Sequence, residues 1–302
     1  MSNTASVNLS DLNSVGKIPP RHMDFGFASS ELPHYYVDNN PIMTAILTTL
    51  SSAIPDGERF FVDAVRHFRS QITDAGLNAQ ISGFIGQEAF HAKEHDAFNL
   101  ALLAQGFSVD QQERIFRVVS RLMQRCPKKF QLAATAALEH YTAIIGEQLL
   151  RDLEMQEKMA PLARAFWTWH AMEETEHKSV AFDVYETVSG SYALRVGSML
   201  AITAVYWPLV MCMAFKMVAD DGQLFKFRKL FSGLNNALGP KGFFSRLAPK
   251  YLDYLKPGFH PTQHDTDALL AEWRERLFGE EGELIDAIKV RNRNKREDRA
   301  EI

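Results

Sequence analysis

From residue 41 onward, apolar side chains recur at spacings of three and four, and the strict apolar–polar alternation of half-buried strands is absent. The pattern predicts an all-α chain. A first helical stretch covers residues 42–70 and contains Pro55, whose missing amide is expected to break or kink it, with Asp56 as N-cap of the part that follows. A second covers residues 78–105 and stops at Gly106, where a glycine C-cap belongs. A shorter connecting helix is expected over residues 109–125. Pro127 suits a first helical turn, so a third long helix starts near it and runs to about Met155; a fourth starts near Pro161 and runs to about Ser189, ending at Gly190. Four long helices in this order suggest a bundle. Residues 1–40, by contrast, mix Pro19, Pro20 and Pro33 with Ser, Asn and scattered aromatics without a period, and read as an arm draped over the core. The division that follows is an arm over 1–40, a bundle over 41–190, and an apolar helix with a helical extension over 191–302.

Composition narrows the class. The 302 residues are 46% hydrophobic and 23% charged, which excludes disorder and fibrous repeats. Lys and Arg number 33 against 37 Asp and Glu, a net charge of −4, so there is no cationic surplus for phosphates and no nucleic-acid partner is expected. Cys126 and Cys212 are too few to staple a secreted domain of this size and form no Cys-x-x-Cys pair, which points to a reducing compartment. The opening MSNTASVNLSDLNSVGK has no apolar run behind a basic start and does not resemble a secretory signal, so a cytoplasmic location is expected.

The chemistry is carried by a repeated short motif. Glu88-Ala-Phe-His91 lies on the second helix and Glu174-Thr-Glu-His177 on the fourth, two copies of Glu-x-x-His. At about 100° per residue, positions three apart share a helix face, so each pair can approach one metal from one side. One copy alone is common on solvated faces; two copies call for a partner carboxylate from each of the other two helices. Glu58 and Glu139 are the candidates. At ~1.5 Å per residue, the legs from Glu58 down one helix and back up to Glu88 are about 18 and 15 Å, and those from Glu139 to Glu174 about 24 and 20 Å, so both hairpins return to one level. The roughly 50 residues between Glu88 and Glu139 exceed an antiparallel turn and fit a long crossover carrying the helix around Phe116.

Each candidate has a plainer alternative. Glu58 could be an exposed first-turn glutamate favoured by the helix dipole. Glu139 sits among Leu132, Ala136, Leu138, Ala143 and Gly146, where an acid needs a partner and a metal suffices. His170, four before Glu174, extends the stripe on the fourth helix as a third imidazole ligand or as a core histidine. His95 reads as a residue behind the ligands or in solvent. Glu94, Glu173 and Glu176 point to other faces and read as surface charges. Ala136, Ala143 and Gly146 either leave room beside Glu139 or allow close helix packing. Trp167, Trp169, Tyr141 and Tyr185 fit a core aromatic stripe.

Glu58, Glu88-x-x-His91, Glu139 and Glu174-x-x-His177 match the ligand order of the ferritin-like di-iron carboxylate proteins, which the chain thus resembles. His170 makes the last helix similar to that of the arylamine N-oxygenases, His-x-x-x-Glu-x-x-His. The wider text, Pro55-Asp-Gly-Glu58-Arg-Phe-Phe, Phe84-Ile-Gly-Gln-Glu88-Ala-Phe-His91 and Glu173-Glu-Thr-Glu-His177, resembles a bacterial family labelled predicted metal-dependent hydrolase, over most of residues 21–261. The resemblance implies a ferritin-like four-helix bundle with a long crossover and a C-terminal helical extension. It implies two iron ions, or manganese, held by Glu58, Glu88, His91, Glu139, His170, Glu174 and His177. It also implies that Glu88 and Glu139 bridge or chelate while Glu58 and Glu174 each end on one metal. Nothing in the chain matches the N-oxygenase substrate pocket.

Hard carboxylates and imidazoles suit iron or manganese. The expected activity is therefore an oxidase or oxygenase taking dioxygen, an electron donor and a small organic or acyl substrate. A hydrolase using the metals as Lewis acid, and a bundle that merely binds metal, are the alternatives. Residues 196–215, VGSMLAITAVYWPLVMCMAF, carry no charge, and a membrane span needs about 20 apolar residues. With Pro208, Gly197, Ser198 and Thr203 inside, the run fits equally a buried helix, a homodimer face or peripheral contact with the inner face of a membrane. Basic residues among Phe and Leu at 225–229 and 241–250 suit an anionic lipid surface or a solvated face. The segment KPGFHP, with His260 unassigned, connects to helices expected over 265–278 and 283–299, and the charged C-terminal run reads as solvated.

Overall fold

The computed structural model describes residues 18–289. Within them the chain is helical, and the β pairing consists of two isolated bridges, Met23 with Ile288 and Val37 with Met159. The long elements are α1 (Pro41–Phe68), α2 (Ala75–Ala104), α3 (Val109–Met123), α4 (Lys128–Arg151), the short α5 (Leu153–Glu157), α6 (Pro161–His177), α7 (Val180–Val188) and α8 (Tyr192–Asp220). These are followed by α9 (Phe227–Leu238), α10 (Ala248–Tyr254) and α11 (Asp267–Phe278). Helices α1 and α2 pack as one hairpin and α4 and α6 as another, with α3 crossing between them along α1 and α8 laid along both α1 and α4.

The element ends follow local chemistry. Asn40 accepts from the Ile42 and Met43 amides at the start of α1, and Asp74 accepts from Leu77 at the start of α2. At the end of α2, Gly106 takes a φ of +94°, and the Phe107 amide reaches back to the Leu102 carbonyl while that of Gly106 reaches Leu103. That closure needs the left-handed residue that glycine supplies.

Three expected boundaries move. Pro55 does not break α1. The carbonyl it leaves without an intrahelical donor, that of Ser51, accepts from Asn99 Nδ2 at 3.2 Å instead, so the helix runs on and Asp56 is no cap but pairs with Arg59 and Arg117. The fourth helix ends at His177 rather than near Ser189: Lys178 turns out to bond the His264 carbonyl and Thr266 Oγ1, and α7 resumes two residues later. The helix expected over 283–299 does not start. Ile285–Ala287 form a single 3-10 turn, because the backbone there pairs with the arm, Asp24 N to the Ala287 carbonyl and Lys289 N to the His22 carbonyl, both at 2.8 Å. Residues 290–299 of that expected helix, and 1–17 of the arm, lie outside the described residues.

The described part of the arm enters the interior. Met23, Phe25, Phe27, Tyr36 and Val37 are buried in the main core with Phe98, Phe166 and Trp169. Gly83 and Gly86 on α2 make room for it: a Cβ at either would collide with Ile18 or Pro20. Of the basic segments after α8, residues 241–250 are tied down within the molecule, Arg246 to Asp152 and Lys250 to Glu147, with Phe243 and Leu247 buried. They do not form the open lipid-facing surface considered above.

Candidate metal centre

Glu58 from α1, Glu88 and His91 from α2, Glu139 from α4, and His170, Glu174 and His177 from α6 all turn inward to one buried pocket. They form two groups. Glu58, His91, His170 and Glu174 make one, and Glu88, Glu139 and His177 the other, the donor atoms of each lying within 4.8 Å of one another. In the first group His91 Nδ1 lies 3.3 Å from Glu174 Oε1 and 3.6 Å from Glu58 Oε1, and His170 Nε2 lies 3.4 Å from Glu174 Oε1. In the second, His177 Nε2 lies 3.0 Å from Glu88 Oε1 and 3.3 Å from Glu139 Oε2. Two donors sharing a cation at about 2.1 Å stand about 3.0–3.4 Å apart, and all of these spacings but that of His91 to Glu58 fall in that range.

Two carboxylates reach both groups. Glu174 turns Oε1 to His91 and His170 while its Oε2 is 3.5 Å from His177 Nε2; Glu88 Oε1, 3.0 Å from His177, is also 3.7 Å from His91 Nδ1. Glu88 and Glu174 thus lie between the two groups. Glu139, from α4, lies 3.3 Å from His177 and shares its group with Glu88.

Donor chemistry points to cations. Both oxygens of Glu58, Glu88 and Glu139, with Glu174 Oε2, His91 Nδ1 and His177 Nε2, are buried with no hydrogen-bond partner. Buried polar atoms in that state cost about 1–3 kcal/mol each, and a cluster of them gathered in one place fits a cation-binding site. The buried His/Glu groups can bind metal ions, and no thiolate stands among them.

Protonation without metal tells the same story. Burial, together with Glu88, Glu174 and Glu139, raises Glu58 well above the usual carboxylate range. Burial and the neighbouring Glu174 raise Glu88, and burial with Glu88 pushes Glu139 up to about 8. For Glu174 burial acts upward too, but His177 outweighs it and holds the group well below its usual value. Against the opposing effect of burial, Glu173 and Glu174 raise His91 to about 9, and Glu174 and Glu88 raise His177 well above its usual value. Burial and His91 lower His170 to about 3. The raised groups hold protons at neutral pH, and any metal bound by them would displace those protons.

Behind the donors runs a hydrogen-bond network. His91 Nε2 donates to Glu173 Oε2 at 2.9 Å; Arg21 Nη1 donates to Glu173 and to Glu176, each at 2.8 Å. Gln87 Nε2 donates to Glu176 at 2.8 Å, and its Oε1 accepts from His177 Nδ1 at 2.9 Å. Arg274 completes the Glu176 site at 2.7 Å. Both imidazoles thereby present the cluster with their other nitrogen. A second chain holds His170: its Nδ1 lies 3.2 Å from His95 Nε2, His95 Nδ1 lies 2.8 Å from Ser51 Oγ, and Ser51 donates to Asn99. Glu173 and Glu176, expected on the surface, are fully enclosed, since residues next to a ligand point about 100° away, into the neighbouring helix and arm. Glu94 is buried as well, paired with Lys93. Signals were present in sequence for Gln87 and Glu173, each directly preceding a motif glutamate; Arg21 had none.

The opposite side of the cluster is apolar. A cavity of about 400 Å³ is lined by Glu58, His170 and Glu174 at its floor and by Leu50, Phe60, Phe61, Phe116, Trp167 and Ile202 among its walls. Of the three small residues on α4 only Gly146 touches it, and a Cβ there would come within 2.8 Å of the Ala171 carbonyl, so that glycine serves the close contact of α4 with α6. Trp169 is a core residue whose ring lies 4.9 Å from that of His91; Tyr141 and Tyr185 are buried too, and His260 bonds Asp183 at 2.7 Å, away from the cluster.

An all-α chain with a buried carboxylate–imidazole cluster that can hold metal defines a helical metal-binding protein. The chain matches the family described as predicted metal-dependent hydrolase over residues 19–265, and it belongs to that family. No curated protein and no solved structure matches it.

Proposed function

We propose that the chain is a ferritin-like di-iron protein that uses dioxygen to oxidise an apolar organic substrate. The observation that carries this reading is the convergence of unpartnered carboxylate and imidazole donors from four helices, α1, α2, α4 and α6, beside an apolar cavity. Glu88 and Glu174 would be shared between two ions, Glu58, His91 and His170 would hold one, and Glu139 and His177 the other. A ferrous pair held there would supply two electrons to dioxygen. Glu173 and Gln87 fix the imidazoles of His91 and His177, while Glu58 and Glu139, free of hydrogen bonds to protein, can change binding mode as the charge of the site changes. Phe60, Phe61 and Phe116 exclude water and receive the apolar part of a substrate. Electrons for further turnovers come from an external donor.

The family description favours a second reading, hydrolysis, in which the pair acts as Lewis acid and source of hydroxide. Against it, the cavity walls offer few polar groups to orient a water or a polar ester. Stopped-flow mixing of the ferrous-loaded protein with oxygen decides between them. Oxygen-dependent absorbance changes are expected; their absence, with ester hydrolysis by the metal-loaded protein, would establish the hydrolase instead.

A further inference from the structure

Helix α8 is long and apolar enough to cross a membrane, yet little of it is buried. Its inner face, with Val210, Met213, Ala214 and Met217, packs on the core, and Arg195 near its start is locked to the Tyr254 and Lys256 carbonyls. Its outer face shows Leu200, Ala204, Val205 and Pro208 to solvent at helical spacing. Ala201 and Val205 of that stripe also line the cavity, whose other rim is α3, where Val119 and Met123 line the cavity and Val118 and Leu122 are exposed. The apolar cavity therefore opens on an apolar surface.

Beyond the C-terminal end of α8 the chain reads Leu224-Phe-Lys-Phe-Arg-Lys-Leu-Phe231. Phe225, Phe227 and Phe231 are 82%, 70% and 76% exposed, the most exposed large apolar side chains among the described residues. Phe227 and Phe231 stand four apart on the outer face of α9, whose inner face is pressed so closely on α1 that a Cβ at Gly233 would collide with Asn40 and Ile42. Lys226, Arg228 and Lys229 alternate with these rings and are exposed, and Arg121, Arg125, Lys128 and Lys129 are exposed beside the cavity rim. The nearby acids are engaged, Asp220 with Lys216 and Asp221 with His34 and Tyr35.

We infer that this surface docks on an anionic lipid bilayer: Phe225, Phe227 and Phe231 insert among the acyl chains, Lys226 and Arg228 meet the headgroups, and the cavity mouth faces the bilayer. The exposed cations Lys226, Arg228 and Lys229 would repel their own copies across a two-fold, so the patch selects an anionic surface over a symmetric dimer. Exposed aromatics interleaved with cations are the side chains that favour the interface, with rings below and charges above. Delivery of an apolar substrate from the lipid to the cluster rests on the function proposed above; the docking does not.

The test is co-sedimentation of the full chain with phosphatidylglycerol and with phosphatidylcholine vesicles, with bound metal measured in the same samples. Binding to the anionic vesicles is expected, weakened by high salt and released by carbonate. The combined variant Phe225→Ser, Phe227→Ser and Phe231→Ser should bind roughly a hundredfold more weakly. Lys226→Glu with Arg228→Glu should lose about fivefold for each charge removed. Helical circular dichroism and metal content should stay unchanged in both. No vesicle binding by the parent, binding indifferent to both variants, or retention in carbonate would overturn the inference. So would a parent dimer in sedimentation that the phenylalanine variant dissolves, since a second copy would then cover the patch. Loss of metal with vesicle binding intact would instead sink the cluster and leave the docking standing.

Discussion

The cluster has two unlike sides. Toward α2, α6 and the arm, every group behind the donors is fixed: His91 on Glu173, His177 on Gln87, His170 on His95, and Arg21 and Arg274 tying the acids together. Toward α1, α4 and α8, Glu58 and Glu139 have both oxygens without a protein partner, and a cavity walled by Phe and Leu adjoins Glu58. The difference teaches how one helical interior can fix some donors of a buried cluster while leaving open space beside others. Hydrogen bonds set the imidazole orientation, and their absence leaves the carboxylates of Glu58, Glu88 and Glu139 free to shift.

That contrast can be broken. The largest effect belongs to Glu174→Ala, because Glu174 reaches both groups. Bound metal should fall from about two equivalents per chain to none in elemental analysis, with circular dichroism retained. Metal retained at the parent level would remove Glu174 from the site.

Next is Arg21→Met on the hydrogen-bonded side. It leaves Glu173 and Glu176 buried around an apolar side chain, and denaturant unfolding should report a loss of about 3–5 kcal/mol. A neutral result would show that this network contributes little to stability.

A smaller effect sharpens the comparison. Glu173→Gln keeps an acceptor for His91 and removes the charge, so a metal-competition titration should show affinity about 10- to 100-fold lower, with little change in stability. If affinity is unchanged, the two sides do not differ in the way described.

The smallest effect is a pH dependence of the metal-free protein. Glu139 and His91, raised in the folded chain to about 8 and about 9, both bind protons more tightly there than when unfolded. Groups raised by folding contribute stability present at low pH and lost as pH climbs through the folded values, for Glu139 from about 4.5 and for His91 from about 6.5. The melting temperature of metal-free protein should therefore fall by a few degrees between about pH 6.5 and pH 9, and metal loading should flatten that slope. An increase with pH in the metal-free form would contradict the assignment.

Local spacing was enough to foresee which side chains gather in one buried cluster. Two Glu-x-x-His repeats on helices, with Glu58 and Glu139 at matching heights, put four carboxylates at one level because helix rise and period are fixed by the backbone. The all-α class and the glycine cap at Gly106 were legible for the same reason. Pro55 misled, because the sequence shows the missing amide and not Asn99, which comes from another helix to satisfy the freed carbonyl. Glu173 and Glu176 misled likewise: adjacent to ligands on a polar-looking stretch, they are enclosed with partners from elsewhere in the chain, Arg21 of the arm, His91, Gln87 and Arg274.

What the sequence by itself determined is therefore whatever one helix can encode, namely periodicity, caps and which residues share a face. Only the tertiary structure decided which carboxylates lie between the two groups, which acids are buried, and that the apolar run of α8 borders a cavity reaching the cluster. The physical reason is range: helical geometry acts over four residues, whereas the partners that neutralise, orient or uncover a side chain here stand up to about 150 positions away along the chain.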